Sequence, residues 1–273
     1  MKTLIKTILT ALLMIADPVL ADETAISITD DIPFGDLERQ TLDVYWPETV
    51  NDKTPVLVFL FGGGFSMGSK GQVRAIGKSF AKSGMIVVAP NYRIYPSAVF
   101  PDFVEDSSKA VAHAWRTMQT NAGDPRPIIL SGWSAGAYIS ALVAYDGRYL
   151  AAQGLPPSAI KGFVGLAGPY TGGLCAGQLC PHIFLDGTEA DWPVDRFVDS
   201  TDPPMLLVQG ALDTYVDIGN LETLSEAGDE AGIDVITLVV EKRFHKHVMW
   251  DLEESGTEVR DAVDAFLASV LTD

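Results

Sequence analysis

The chain has 273 residues, 47% hydrophobic and 20% charged, enough for one large α/β domain and ordinary for a globular protein rather than a disordered or many-span membrane one. Its formal net charge is −17, a surface that repels nucleic acid and anionic lipid headgroups and favours solubility.

Residues 1–21 read as a secretory signal peptide. Lys2 and Lys6 make a positive start, Thr7 to Ala16 is an apolar stretch, and Val19-Leu20-Ala21 supplies short side chains for cleavage. The apolar part is shorter than the roughly twenty residues of a membrane span, and Asp17 and Pro18 interrupt it. The expected location is periplasmic or extracellular, with no stable membrane insertion, and the mature chain, 22–273, is read as a single domain.

Period-two apolar spacing at Ile26, Ile28 and Ile32, and again at Leu42, Val44 and Trp46, predicts opening antiparallel strands. Pro55 to Phe61 is apolar throughout, as a strand covered on both faces must be. Runs of that kind recur at Met85–Ala89, Ile128–Leu130, Phe163–Ala167, Met205–Val208 and Val235–Val240, with helical spacing between them at Val73/Ile76/Phe80, Val104/Val111/Trp115/Met118 and Val259/Val263/Phe266/Val270. Alternating strands and helices predict an α/β fold around a mostly parallel sheet, with helices on both faces. An irregular Gly-, Pro- and Asp-rich stretch, about 169–202, reads as a short lid-like insertion over the carboxyl ends of the strands, where such sheets bind ligands. It carries both cysteines, Cys175 and Cys180, and an even, close pair in an exported chain predicts a local disulfide rather than a metal site.

Gly132-Trp133-Ser134-Ala135-Gly136 joins the Ile128–Leu130 strand to an apolar helix, the context that a Gly-x-Ser-x-Gly elbow needs to hold a serine hydroxyl at its tip. A serine there requires a base and an orienter downstream. Asp213 directly follows the Met205–Val208 strand and so lies on the same sheet edge, whereas Asp217 reads as a cap for the helix near Ile218-Gly219-Asn220. After the last strand, Phe244-His245-Lys246-His247-Val248-Met249-Trp250 offers two histidines that an extended loop would point to one side. His247 is preferred because it adjoins the apolar Val248-Met249-Trp250, and His245 stays open. His113 and His182 fall where the serine–acid–histidine order needs no base. Upstream, Gly62-Gly63-Gly64 at a strand end exposes N–H groups that, with the N–H of Ala135, could cradle an oxyanion.

With these features the chain resembles the α/β-hydrolases of the hormone-sensitive-lipase-like and feruloyl- or carboxylesterase-like group. The resemblance rests on the elbow, Phe61-Gly62-Gly63-Gly64-Phe65 with Gly68-Ser69-Lys70, Asn91-Tyr92-Arg93-Ile94-Tyr95-Pro96, Phe100-Pro101-Asp102, Gly123-Asp124-Pro125 and Gly210 to Val216. It implies Ser134 as nucleophile, Asp213 as orienter, His247 as base and the N–H groups of Gly63, Gly64 and Ala135 as oxyanion hole. One departure is that Phe61 stands where the family usually has histidine. The expected activity is hydrolysis of a small-molecule carboxylic ester, short-chain or aromatic, without metal or cofactor. An amide, formamide or peptide hydrolase with the same triad, or a non-catalytic binding module, would share the fold.

Overall fold

Continuously apolar segments with no polar face must be covered on both sides, and this dictates the architecture of the computed structural model, which describes residues 25–120, 123–171 and 180–272. The strands are β1 (Ser27–Pro33), β2 (Thr41–Trp46), β3 (Val56–Leu60), β4 (Ile86–Pro90), β5 (Ile128–Trp133), β6 (Ile160–Leu166), β7 (Met205–Gly210) and β8 (Val235–Val240). They form one sheet in the order β1-β2-β4-β3-β5-β6-β7-β8. β1, β2 and β4 pair antiparallel, and every later neighbour pairs parallel. β3, β4, β5 and β7 are buried at every position.

The helices are α1 (Arg74–Lys82), α2 (Asp102–Thr117), α3 (Ala135–Tyr145), α4 (Gly147–Ala152), α5 (Cys180–Ile183), α6 (Gly219–Ala231), α7 (His247–Trp250) and α8 (Glu258–Val270). α1 and α8 share one face, joined by the buried Arg260. Its guanidinium donates to Ser79 Oγ (2.7 Å), Ser83 Oγ (2.6 Å) and Asp264 Oδ1 (2.8 Å) and lies 4.0 Å from the Phe80 ring centroid. α2, α3 and α6 cover the other face, with α4 against α2 and α3. All eleven residues of α3 are buried, so this helix is apolar all round, as a helix between sheet and neighbours must be.

The expected leader, residues 1–21, lies outside the described residues, as does Cys175 with its expected pairing to Cys180. Among the described residues no helix is long and apolar enough to cross a membrane. The described part of the 169–202 stretch is tied down by aromatic contacts: Phe184 packs among Phe65, Phe100, Phe103 and Tyr138, and Tyr138 Oη donates to the Trp192 carbonyl at 2.9 Å. Within it, only Pro169 lines the cleft described next.

Candidate active site

β5 ends at Trp133 and α3 begins at Ala135, so Ser134 alone makes the turn, at φ 57° and ψ −125°. That backbone is costly for a residue with a side chain and persists only where its surroundings enforce it. Here the enforcement is close packing: a Cβ on Gly136 would come within 2.2 Å of the Leu60 carbonyl oxygen, and one on Gly132 within 2.5 Å of the Gly136 backbone. The Ser134 N–H donates to the Leu166 carbonyl at 2.8 Å, fastening the turn to β6.

Ser134 Oγ lies 2.9 Å from His245 Nε2, and His245 Nδ1 lies 2.7 Å from Asp213 Oδ2. Asp213 sits in the turn after β7, as its position past that strand predicts, and Asp217 Oδ1 accepts from the N–H of Gly219 at the start of α6. The Asp213 carboxylate also accepts from the N–H groups of Tyr215 (2.8 Å) and Val216 (3.1 Å) and from Gln209 Nε2 (2.8 Å). Burial pushes this carboxyl up, but the hydrogen bonds from His245, Tyr215 and Val216 outweigh it and hold it below its ordinary value. An ionised carboxylate can only accept, so Nδ1 carries the proton and the bare Nε2 accepts from the serine hydroxyl.

The base expected from sequence, His247, is not at this site. Its Nδ1 accepts from the Phe244 N–H at 3.2 Å, and its ring lies against Phe244 and Trp250. The extended loop assumed for residues 244–250 is helical from His247, so the relevant period is 3.6 rather than two. At that spacing His245 shares a face with Val248, Met249 and Leu252, all buried, while His247 turns away with Trp250. The apolar neighbours taken to support His247 thus continue the face of His245.

Two residues with no assigned part in the sequence reading brace the pair. Trp133, inside the elbow motif, donates from its indole to the His245 carbonyl at 2.9 Å and packs on the imidazole at 5.0 Å between centroids. Gln209, at the end of β7 and 2% exposed, spans Asp213 Oδ2 and the Val216 carbonyl (3.0 Å). Trp133 carried a signal in its place beside Ser134; Gln209 is one more buried strand residue until the fold is known.

Ser134 and His245 open into a cleft of about 610 Å³, whose walls include Trp133, Met67, Tyr215, Met249 and Trp250. Gly63 and Gly64 also line it, at φ 150° and 56°. Among the described residues no backbone–backbone hydrogen bond uses their N–H groups, and the N–H of Ala135, first in α3, has no partner within that helix. Among the described residues, Lys246 is the one of formal charge on the wall. Among the described residues no cluster of His, Cys, Asp and Glu could hold a metal ion.

This sheet, with a strained serine after β5 and a histidine after its last strand, has the α/β-hydrolase fold. Solved structures agree on the fold: a truncated carbohydrate esterase from gut microbiota superposes with a TM-score of 0.74 at 21% identity over 93% of this chain and 99% of that one. Esterase 2 of Thermogutta terrifontis, solved with propionate, gives 0.71 at 19% identity over 91% and 95% of the two chains. In sequence, residues 42–154 match the BD-FAE family model. A probable isoprenylcysteine alpha-carbonyl methylesterase of Oryza sativa subsp. japonica is 28% identical over 79% of this chain and 57% of its own length. The esterase LipQ of Mycobacterium tuberculosis is 27% identical over 89% and 62%, and the carboxylesterase NlhH of that organism 36% over 38% and 33%. The chain spans between about half and two thirds of the rice and LipQ relatives.

Proposed function

We propose that the protein hydrolyses carboxylic esters through an acyl-enzyme on Ser134, with His245 as general base and Asp213 as its orienter. The observation that carries this reading is the unbroken relay of 2.9 Å from Ser134 Oγ to His245 Nε2 and 2.7 Å from His245 Nδ1 to Asp213 Oδ2. Ser134 Oγ attacks the acyl carbon as its proton passes to Nε2, and the N–H groups of Gly63, Gly64 and Ala135 receive the developing oxyanion. Collapse expels the alcohol, which takes the proton from Nε2. Water, deprotonated by the same nitrogen, then attacks the acyl carbon and releases the acid with Ser134 restored.

The named esterases among the relatives support ester hydrolysis as the reaction class. The apolar, partly aromatic cleft walls favour short-chain or aromatic esters. Ser134→Ala is expected to lower turnover of a short p-nitrophenyl ester by at least about 10³-fold and to abolish labelling by a fluorophosphonate probe. Wild-type turnover in that variant would sink the mechanism. Matched ester and anilide substrates separate an esterase from an amidase, the ester being turned over faster.

Export and the Cys175–Cys180 bridge belong to the same proposal. An intact mass of protein recovered from the cell envelope or medium that corresponds to a chain starting at Asp22 and lacking two hydrogens supports both; a full-length mass with free thiols overturns both.

A further inference from the structure

Two flexible glycines cannot aim their own N–H groups, so something else must fix the turn that carries Gly63 and Gly64. Two carbonyls at this turn are held. The Gly63 oxygen accepts from the N–H groups of Ser66 (3.2 Å) and Met67 (3.1 Å), and since a trans peptide points its N–H away from its C=O, this turns the Gly64 N–H the other way. Two peptides earlier in the chain, the Phe61 oxygen accepts from Tyr92 Oη at 2.7 Å. The two rings stack, 4.2 Å between centroids and 6° from parallel, and both are fully buried. Arg39 closes the other side, donating from Nε to the Tyr92 carbonyl (2.8 Å) and from Nη2 to the Gly68 carbonyl (2.9 Å). Gly68 is packed so tightly that a Cβ there would fall 2.7 Å from both the Phe61 ring and the Gly62 oxygen. The Phe61 oxygen also abuts the elbow: a Cβ on Gly136 would come within 2.4 Å of it.

We propose that Tyr92 and Arg39 are positioning residues for the reaction, fixing the oxyanion-binding turn against the nucleophile elbow through the ring and carbonyl of Phe61. The inference rests on the esterase reading above. It also accounts for phenylalanine ahead of the three glycines: a flat ring there can be gripped between Tyr92 and Gly68, and the polar tie passes through its backbone. Burial pushes the Tyr92 hydroxyl far above its ordinary value, so it remains a donor across the working range of pH.

The test is Tyr92→Phe, which keeps the stack and removes the one hydrogen bond. With active sites counted by fluorophosphonate titration, kcat per site is expected to fall about tenfold while KM stays within about threefold. Affinity for an aryl trifluoromethyl ketone, whose hemiketal oxygen needs the same donors, falls in parallel with kcat. Arg39→Lys keeps the charge but not the fork that reaches two carbonyls, and is expected to give the same pattern with a loss of about threefold. If Tyr92→Phe does not fold, this variant decides. Unchanged kcat per site and unchanged ketone affinity overturn the proposal, even if Tm falls, because that is what a purely structural role would give. Failure of the esterase reading itself would be seen separately, as undiminished turnover by Ser134→Ala.

Discussion

Removing the imidazole of His245 and removing that of His247 should have opposite outcomes, although the two lie two positions apart. His245→Ala deletes the proton acceptor 2.9 Å from Ser134 Oγ, and kcat is expected to fall by about 10³-fold or more. His247→Ala deletes a ring that touches Phe244 and Trp250 outside the relay, and kcat should stay within about threefold of wild type. Steady-state turnover of one aryl ester by the two purified variants is sufficient, and the reverse ranking would return the role of base to His247. The lowered titration of Asp213 has a signed consequence for stability. Its folded-state value lies below its unfolded one, so the stabilisation from its hydrogen bonds is complete above the ordinary aspartate range and is lost only as pH falls through the lowered value.

At the scale of elements, Arg260 of α8 is fastened to the α1 end by Ser79, Ser83 and the Phe80 ring, with Asp264 and the Leu252 carbonyl as further partners. Apart from the buried Leu252 carbonyl, its partners are hydroxyls and a half-exposed carboxylate, so no opposite charge is left stranded by its removal. Arg260→Ala is therefore expected to cost about 2 kcal/mol, from lost packing and hydrogen bonds, while activity per labelled site is kept. A shift of the urea midpoint at constant slope would show it. The turn ahead of β7 behaves differently. Burial raises the Asp202 carboxyl from 3.8 to about 6, against the opposing hydrogen bond from the Asp199 N–H and with a smaller upward push from the Asp199 charge. Below pH 3.8 both folded and unfolded forms are neutral and no penalty exists; it grows as pH rises and is complete above about 6. After allowance for partial exposure, Asp202→Asn should stabilise by about 1 kcal/mol at alkaline pH, with the gain vanishing in acid. Thermal melts across pH test it, and a gain that grows towards acid would contradict the sign.

These elements also show what the sequence could carry. β3, β4, β5 and β7 are legible because a doubly covered strand leaves no polar residue in its run, and the elbow because only glycines tolerate contacts as close as those at positions 132 and 136. Asp213 follows from topology, being the acid that directly succeeds the next-to-last strand of the sheet. The sequence offers both His245 and His247 and ranks them wrongly, because the choice depends on whether seven residues are extended or helical, and so short a stretch carries too little periodicity to decide. Tyr92, Arg39 and Gln209 act through backbone carbonyls or a neighbouring side chain, and such contacts leave no pattern along the chain.

For the whole molecule, a net charge of −17 sets a field that the lone lysine on the cleft wall only partly offsets. An anionic ester should approach more slowly than its neutral counterpart at low ionic strength. Raising salt from about 0.01 M to about 0.15 M shortens the screening length from roughly 30 Å to roughly 8 Å, so kcat/KM for the anionic ester should rise while that for the neutral one stays nearly constant. A flat salt profile for both esters would mean that the cleft is shielded from the rest of the surface.

The hydroxyl and the imidazole that would activate it stand 111 positions apart, the latter beyond the final strand of the sheet. A growing polypeptide that has already shaped its elbow therefore carries an inert alcohol until its last hundred or so residues have been made and docked. On the proposed mechanism, reactivity arrives only once the segment carrying His245 has docked against the elbow.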